Sequence, residues 1–428
     1  MKLVVNKSEL SGSVEIPGSK SHTIRAAVIA SLAEGESIIR RPLVASDTLA
    51  AVNACRLLGA EINKPDDWVV HGVGGRPSVP DNVIDVGNSG TTLYIALGMA
   101  SLVDGVSVFT GDDQIRRRPA GPIIDALNAL GARLESTRGN GMAPIIVSGP
   151  LIGGNVALDG SKTSQYLTSL LISCPLAQSD TTIEVHSLIE KPYVEMTLRW
   201  IKEQGIMLEN HDFNEFIIPG RQNYKPFDRA VPADWSSAAF FMCAAAITGS
   251  GLTLLGLDEN DTQGDKAIVD MLRKMGANIE WRVESGEQRA LVVKSGELHG
   301  ATLNLSDTPD ALPALAVTAC FAEGETRLAN VPQARLKETD RIAVMREELT
   351  KMGADIEELP DGLVIRGSKL KPAVVHGHYD HRVIMALAVA GLCLDGETEI
   401  YTAEALGVTF PNFVELMNGV GGNIRKAD

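Results

Sequence analysis

The chain has 428 residues, 44% of them apolar and only 4% aromatic, which is more than one ordinary domain and enough for two sizeable cores. A net charge of −15 argues against bulk nucleic acid or an anionic membrane surface as partner. Cys55, Cys174, Cys243, Cys320 and Cys393 are scattered, mostly in apolar runs and without CxxC spacing, so buried reduced thiols are expected and a structural zinc is not.

The opening residues 1–6 carry no apolar leader pattern, and no later run is long enough for a membrane span, so a cytoplasmic protein is expected. A strand at 12–16 runs into the turn Pro17-Gly18. Ser19 and Ser21 follow as helix N-caps, and the body behind them, from Ile24 to Leu32, is almost wholly apolar. Such a helix is buried all round, so its N-terminus presents backbone N–H groups, two hydroxyls, Lys20 and Arg25, a natural anion site. A capped helix with a solvated Lys and Arg is the plainer alternative.

The same element recurs along the chain. Polar heads at 88–92, 161–165, 234–237, 308–310 and 380–382 each lead into an apolar helix, most of them ending near a glycine. Alternating with these are amphipathic helices that end in a glycine and a short strand. The shared glycines are Gly59, Gly131, Gly205, Gly276, Gly353 and Gly421, spaced by roughly 70 residues. One α/β unit is therefore used six times, each with one buried helix, one surface helix and strands between. Proline-rich breaks at 224–226 and 231–233 divide the units three and three. The boundaries expected are 1–19 plus 233–428 for one domain and 20–232 for the other. Two crossings would make a hinge, with the helix heads able to meet in an interdomain cleft.

Cationic groups sit beside the repeat boundaries: Lys20 with Arg25, Arg116-Arg117-Arg118, Lys337 with Arg341, and His381-Arg382. A cationic pocket in an anionic protein points to a small anionic ligand rather than a polymer. Acid–base candidates are Asp310, Glu338, Asp380 and His381. Asp310 reads equally as an N-cap and Glu338 as a surface ion pair. Asp47 and Asp234 read as caps, and Gly72-Val73-Gly74-Gly75 as a hairpin turn.

With these residues in view, the whole chain resembles the enolpyruvyl transferase family, in the branch whose acceptor is shikimate 3-phosphate. The matching stretches are Pro17-Gly18-Ser19-Lys20-Ser21, Gly87-Asn88-Ser89-Gly90-Thr91-Thr92, Arg116-Arg117-Arg118-Pro119, Thr163-Ser164-Gln165-Tyr166-Leu167, Lys191-Pro192-Tyr193, Pro309-Asp310, Arg335 to Arg341, and Asp380-His381-Arg382. The resemblance implies a two-domain inside-out α/β barrel built of six βαβαββ units, three per domain. It implies transfer of enolpyruvyl from phosphoenolpyruvate to the 5-hydroxyl of shikimate 3-phosphate, with no metal or cofactor, and a monomer as the working form. Position by position, it assigns shikimate 3-phosphate to Lys20, Ser21, Arg25, Thr163, Ser164, Gln165, Tyr193, Asp310 and Lys337. Phosphoenolpyruvate falls to Lys20, Asn88, Gly90, Arg118, Gln165, Arg341 and Arg382. Asp310 becomes the base and Glu338 the proton donor to carbon, with Lys20 and His381 auxiliary.

Four positions depart from the family pattern. Tyr94 stands where many members carry Arg, Glu190 replaces a phosphate-binding Ser, Gln333 replaces an Asn, and Val408 replaces a Lys. These leave a different anionic cyclic alcohol open as acceptor, and inhibitor sensitivity (glyphosate targets this family) open too. The branch acting on UDP-N-acetylglucosamine fits less well: it usually has Asn where Ser21 stands and a reactive Cys in the loop at 111–116, which has none. A non-catalytic anion-binding protein is the remaining alternative, and retention of both Asp310 and Glu338 speaks against it.

Overall fold

The structure is a computed structural model that describes residues 1–64, 66–249, 251–285 and 288–428. The chain divides into two compact units, residues 1–17 with 232–428 and residues 18–231. Among the described residues there are six four-stranded sheets, three in each unit.

The helices alternate in kind, as the repeat predicts. The first kind comprises α1 (Lys20–Leu32), α3 (Gly90–Ala100), α5 (Gln165–Ser173), α7 (Trp235–Ile247), α9 (Leu312–Cys320) and α11 (His381–Gly391). All are buried almost end to end; every residue of α3, α9 and α11 is inside. Their apolar runs leave no face for water, so each must be surrounded. The second kind comprises α2 (Ser46–Leu57), α4 (Gly121–Ala129), α6 (Lys191–Glu203), α8 (Ile268–Lys274), α10 (Arg341–Lys351) and α12 (Phe413–Gly419). These bury one stripe and expose the rest. The six shared glycines that follow them all have positive φ, between 84° and 104°, which closes each helix at low steric cost. Gly276 is the most constrained: a Cβ there would lie 2.3 Å from the Glu297 carbonyl oxygen.

Each sheet has one design, a parallel pair at one edge followed by two antiparallel pairings. The chain threads it as βαβαββ, for example Ile84–Asp85, α3, Val106–Thr110, α4, Arg133–Ser136 and Ile145–Ser148. Two edge strands depart from sequence order. Ser11–Glu15 precedes α1 but pairs with Gly251–Leu255, while Asp228–Ala230 precedes α7 but pairs with residues 38–40. The strand before each crossing thus stays with the unit the chain is leaving. Lys2–Asn6 closes the last sheet between Thr398–Tyr401 and Asn423–Ala427.

The five thiols are free, four of them buried; burial pushes Cys55 up to about 11 and the others to about 12, so they stay protonated. Among the described residues no helix is long and apolar enough to cross a membrane. Several local expectations need correcting. Ser19 stands at the N-cap of α1 without a side-chain cap bond, and Ser21 lies inside the first turn. The glycine near the end of α1, Gly35, lies in the strand Glu34–Arg40, three residues beyond the last helical residue, Leu32. The glycines at 72–75 make no hairpin. Gly74 and Gly75 instead donate to the Ala33 and Leu32 carbonyls, closing the C-terminus of α1.

Candidate active site

In the unit of residues 1–17 and 232–428, the heads of three elements meet in a charged cluster. Arg341 opens α10 and is 1% exposed at its side chain. Its guanidinium bonds Asp310 at 2.6 Å, Glu338 at 2.5 Å and Asp380 at 2.8 and 3.3 Å. Arg382 reaches the second oxygen of Asp310 at 3.0 Å. Asp310 sits in a 3-10 turn, Pro309–Ala311, just before α9, so it does not cap a helix as one reading expected; it is an ion-pair partner. Glu338 is no surface pair either, being 8% exposed. Asp380 is fully buried, caps α11 through the Arg382 N–H and holds Arg341. Burial works against the charge of Arg341, but Asp380, Glu338 and Asp310 together push its pKa well above the ordinary value. His381 is buried beside Arg382, and Lys337, half-buried, flanks Glu338.

The unit of residues 18–231 gathers the other expected groups. Lys20 pairs with Asp47 at 3.1 Å, both nearly buried. Asp47 is thus not the cap of α2, a role taken by Thr48, which bonds the Ala45 N–H. The Thr92 hydroxyl donates to the Asp47 carbonyl at 3.3 Å, tying the head of α3 to that of α2. Of the three consecutive arginines, Arg116 and Arg117 fold back onto Gly111 and Asp113. Arg118 alone turns inward: a Cβ on Gly90 would lie 2.5 Å from its Nη1, so glycine is what admits the guanidinium. Asn88 is held by Asp112 and Gln114, both at 2.6 Å.

Arg25 is 1% exposed, and its donors meet Thr197, Thr168 and the carbonyls of Ser21 and Tyr193. Here it braces Ser21 and Tyr193 rather than facing solvent, and burial among neutral groups pulls its pKa down to about 10, so it stays cationic. Thr163 and Ser164 are buried at the head of α5 and Gln165 opens that helix. Glu190 sends its carboxylate to the Ser164 N–H (3.4 Å) and hydroxyl (3.2 Å), with its own φ at +54°.

The departures are accommodated in the packing. Tyr94 and Tyr166 meet edge to face at 5.0 Å and both donate to the Pro119 carbonyl, next to Arg118. Gln333 donates to the Ser306 carbonyl at 2.9 Å, and Val408 ends a 3-10 turn, Ala403–Val408.

Two partners escaped sequence reading. Asp47 reads in sequence as a cap, and nothing local marks Asp380 as a partner of Arg341; a buried acid opposite a buried base has no local pattern. Among the described residues, Glu347, Glu348 and His378 have potential metal-ligand atoms within 4.8 Å of one another. The Lys351 ammonium already lies 3.0 and 2.8 Å from the two carboxylates, which supplies their counter-charge.

The family model described as EPSP synthase (3-phosphoshikimate 1-carboxyvinyltransferase) matches residues 4–417. A 3-phosphoshikimate 1-carboxyvinyltransferase of Ruminiclostridium cellulolyticum is 54% identical over 426 residues, covering 99% of each chain. One from Acetivibrio thermocellus is 55% identical over 429 residues, covering 100% of each. The solved structure of an EPSP synthase from Acinetobacter baumannii superposes with a TM-score of 0.82 at 29% identity, across 100% of both chains.

Proposed function

The chain belongs to the EPSP synthase family, and on that premise we propose that it is a 3-phosphoshikimate 1-carboxyvinyltransferase, moving enolpyruvyl from phosphoenolpyruvate to the 5-hydroxyl of shikimate 3-phosphate with release of phosphate. The observation that supports it best is the cluster around Arg341, where two carboxylates suited to proton transfer, Asp310 and Glu338, share cations suited to an anionic substrate.

The enol phosphate of phosphoenolpyruvate is a weak electrophile. Its methylene carbon must gain a proton while the alcohol attacks the neighbouring carbon, and the elimination reverses the proton step as phosphate departs. We assign the hydroxyl proton to Asp310 and the carbon proton to Glu338, with Lys20 and His381 assisting. The phosphoenolpyruvate carboxylate would compete with Asp310 for Arg341 and Arg382, so substrate binding would release the base from its ion pairs as it fills the cationic seat. Lys20, Asn88, Gly90, Arg118 and Gln165 would hold the rest of that substrate. Ser21, Thr163, Ser164, Tyr193 and Lys337 would serve shikimate 3-phosphate, with Arg25 bracing Ser21 and Tyr193 from behind. These residues are drawn from both units, so the reaction requires both, and closure that expels water would strengthen every charge interaction.

A second acceptor is favoured by one feature only: Glu190 lies on the Ser164 groups expected to take the acceptor's phosphate. The deciding experiment measures phosphate release with shikimate 3-phosphate, UDP-N-acetylglucosamine and other anionic cyclic alcohols. Release only with shikimate 3-phosphate is expected; equal release without acceptor, or with a different alcohol alone, overturns the assignment. Asp310→Asn is expected to slow turnover by about 10²-fold or more, and near-normal turnover would remove Asp310 from the role of base.

A further inference from the structure

Seven residues along α10 from Arg341, two turns away and on the same face, lies Glu348. Its side chain is 0% exposed. One carboxylate oxygen accepts the His376 backbone N–H at 3.0 Å. The other lies 2.7 Å from His378 Nε2 and 2.8 Å from Lys351 Nζ. The His378 backbone N–H donates to His376 Nδ1 at 2.9 Å, and the two rings stand edge to face at 4.7 Å. The gripped segment contains two successive left-handed non-glycine residues, His378 (φ +52°) and Tyr379 (φ +57°). Such backbone persists only where its surroundings hold it. The segment ends in Asp380, which Arg341 bonds from the other end of the same helix face. Helix α10 therefore pins the 376–380 loop twice, immediately before the residues that begin α11, His381 and Arg382.

We propose that Glu348, acting through His376 and His378, is a positioning residue for the phosphoenolpyruvate half of the site, holding the loop so that Arg382 and His381 keep their places. This rests on the reading above that Arg341 and Arg382 receive phosphoenolpyruvate. The position calls for a carboxylate: the His376 N–H and the Lys351 ammonium are donors only, and His378 Nε2 can donate as well, whereas a Gln would turn an NH₂ toward one of them.

The test compares Glu348→Gln, His378→Ala, His378→Gln and Lys351→Met with the parent chain. Glu348→Gln and His378→Ala are expected to raise the KM for phosphoenolpyruvate roughly 10-fold, the size of one lost charge-assisted hydrogen bond. The dissociation constant of shikimate 3-phosphate alone, most of whose proposed contacts lie in the other unit, stays within about twofold. His378→Gln, which keeps an N–H for Glu348, recovers most of the loss. Lys351→Met, which removes one donor to Glu348 from a side chain 43% exposed, is expected to raise the KM for phosphoenolpyruvate by less than Glu348→Gln does. A folded Glu348→Gln with an unchanged KM for phosphoenolpyruvate, or an equal loss for both substrates, overturns the proposal. Should Glu348→Gln not fold, His378→Ala decides alone, its side chain being 30% exposed. A parent chain without acceptor-dependent phosphate release would overturn the functional reading beneath, and the inference with it.

Discussion

Two arginines with side chains almost wholly out of water are handled in opposite ways. Arg25 is surrounded by hydroxyls and carbonyls, and its charge is weakened by desolvation. Arg341 meets three carboxylates, and its charge is reinforced. Neutral partners make Arg25 a fixed post, whereas charged partners make Arg341 a cation that can exchange one anion for another. Glu348 shows the same logic for an acid. Burial alone would push its pKa up, but the His378 and Lys351 hydrogen bonds and the His376 N–H overcome this and bring it from the ordinary 4.5 down to about 2. A carboxyl lowered on folding contributes stability that is fully present above its unfolded pKa and is lost as pH falls through the folded one. The stability gap between wild type and Glu348→Gln, measured by urea unfolding, is therefore expected at neutral pH and should close between about pH 4.5 and 2. A gap that stays constant over that range would show that the carboxylate charge is not what stabilises the loop.

At the scale of elements, the molecule depends on helices that touch protein on every side. Close approach demands small residues at the crossings. Gly98 in α3 faces α5, where a Cβ would lie 2.5 Å from Ser169 Oγ, 2.8 Å from Ser173 Oγ and 3.0 Å from the Ser169 carbonyl oxygen. Propensity alone favours almost any other residue in a helix interior, by up to about 1 kcal/mol. Crowding opposes it, because the backbone of α5 cannot rotate away as a side chain can. Gly98→Val is expected to lose about 1–3 kcal/mol net, read from denaturant midpoints. A neutral or stabilising outcome would mean that the two helices can separate at little cost.

At the scale of the whole molecule, the chain passes between its two compact units twice, at 17–18 and 231–232. The proposed substrate groups come from both units, so we propose that binding draws them together. X-ray scattering of the chain is expected to give a smaller radius of gyration on saturation with shikimate 3-phosphate. An unchanged radius at saturating ligand would count against closure.

Periodicity and motif spacing carried far in this chain. The glycine ladder, the alternation of apolar and amphipathic helices and the polar heads are local patterns, set by which side chains must leave water and which backbone angles only glycine adopts easily. They specify six α/β units and place cations at 20, 116–118 and 382 and acids at 310 and 338 near the unit boundaries; the resemblance to the enolpyruvyl transferases is what narrows these to Lys20, Arg118, Asp310, Glu338 and Arg382. What tertiary structure alone decided was pairing at long range. Nothing near Asp47 announces Lys20, nothing near Asp380 announces Arg341, and Glu348 reads as one more charged residue on a surface helix. The division of the chain already places the first strand with the last three units, but its particular partner, 251–255, and the pairing of 228–230 with 38–40 are chosen only by sheet registry. A repeat is written in consecutive residues, whereas a buried charge finds its counter-charge through three-dimensional packing, and that choice was made only when the chain folded.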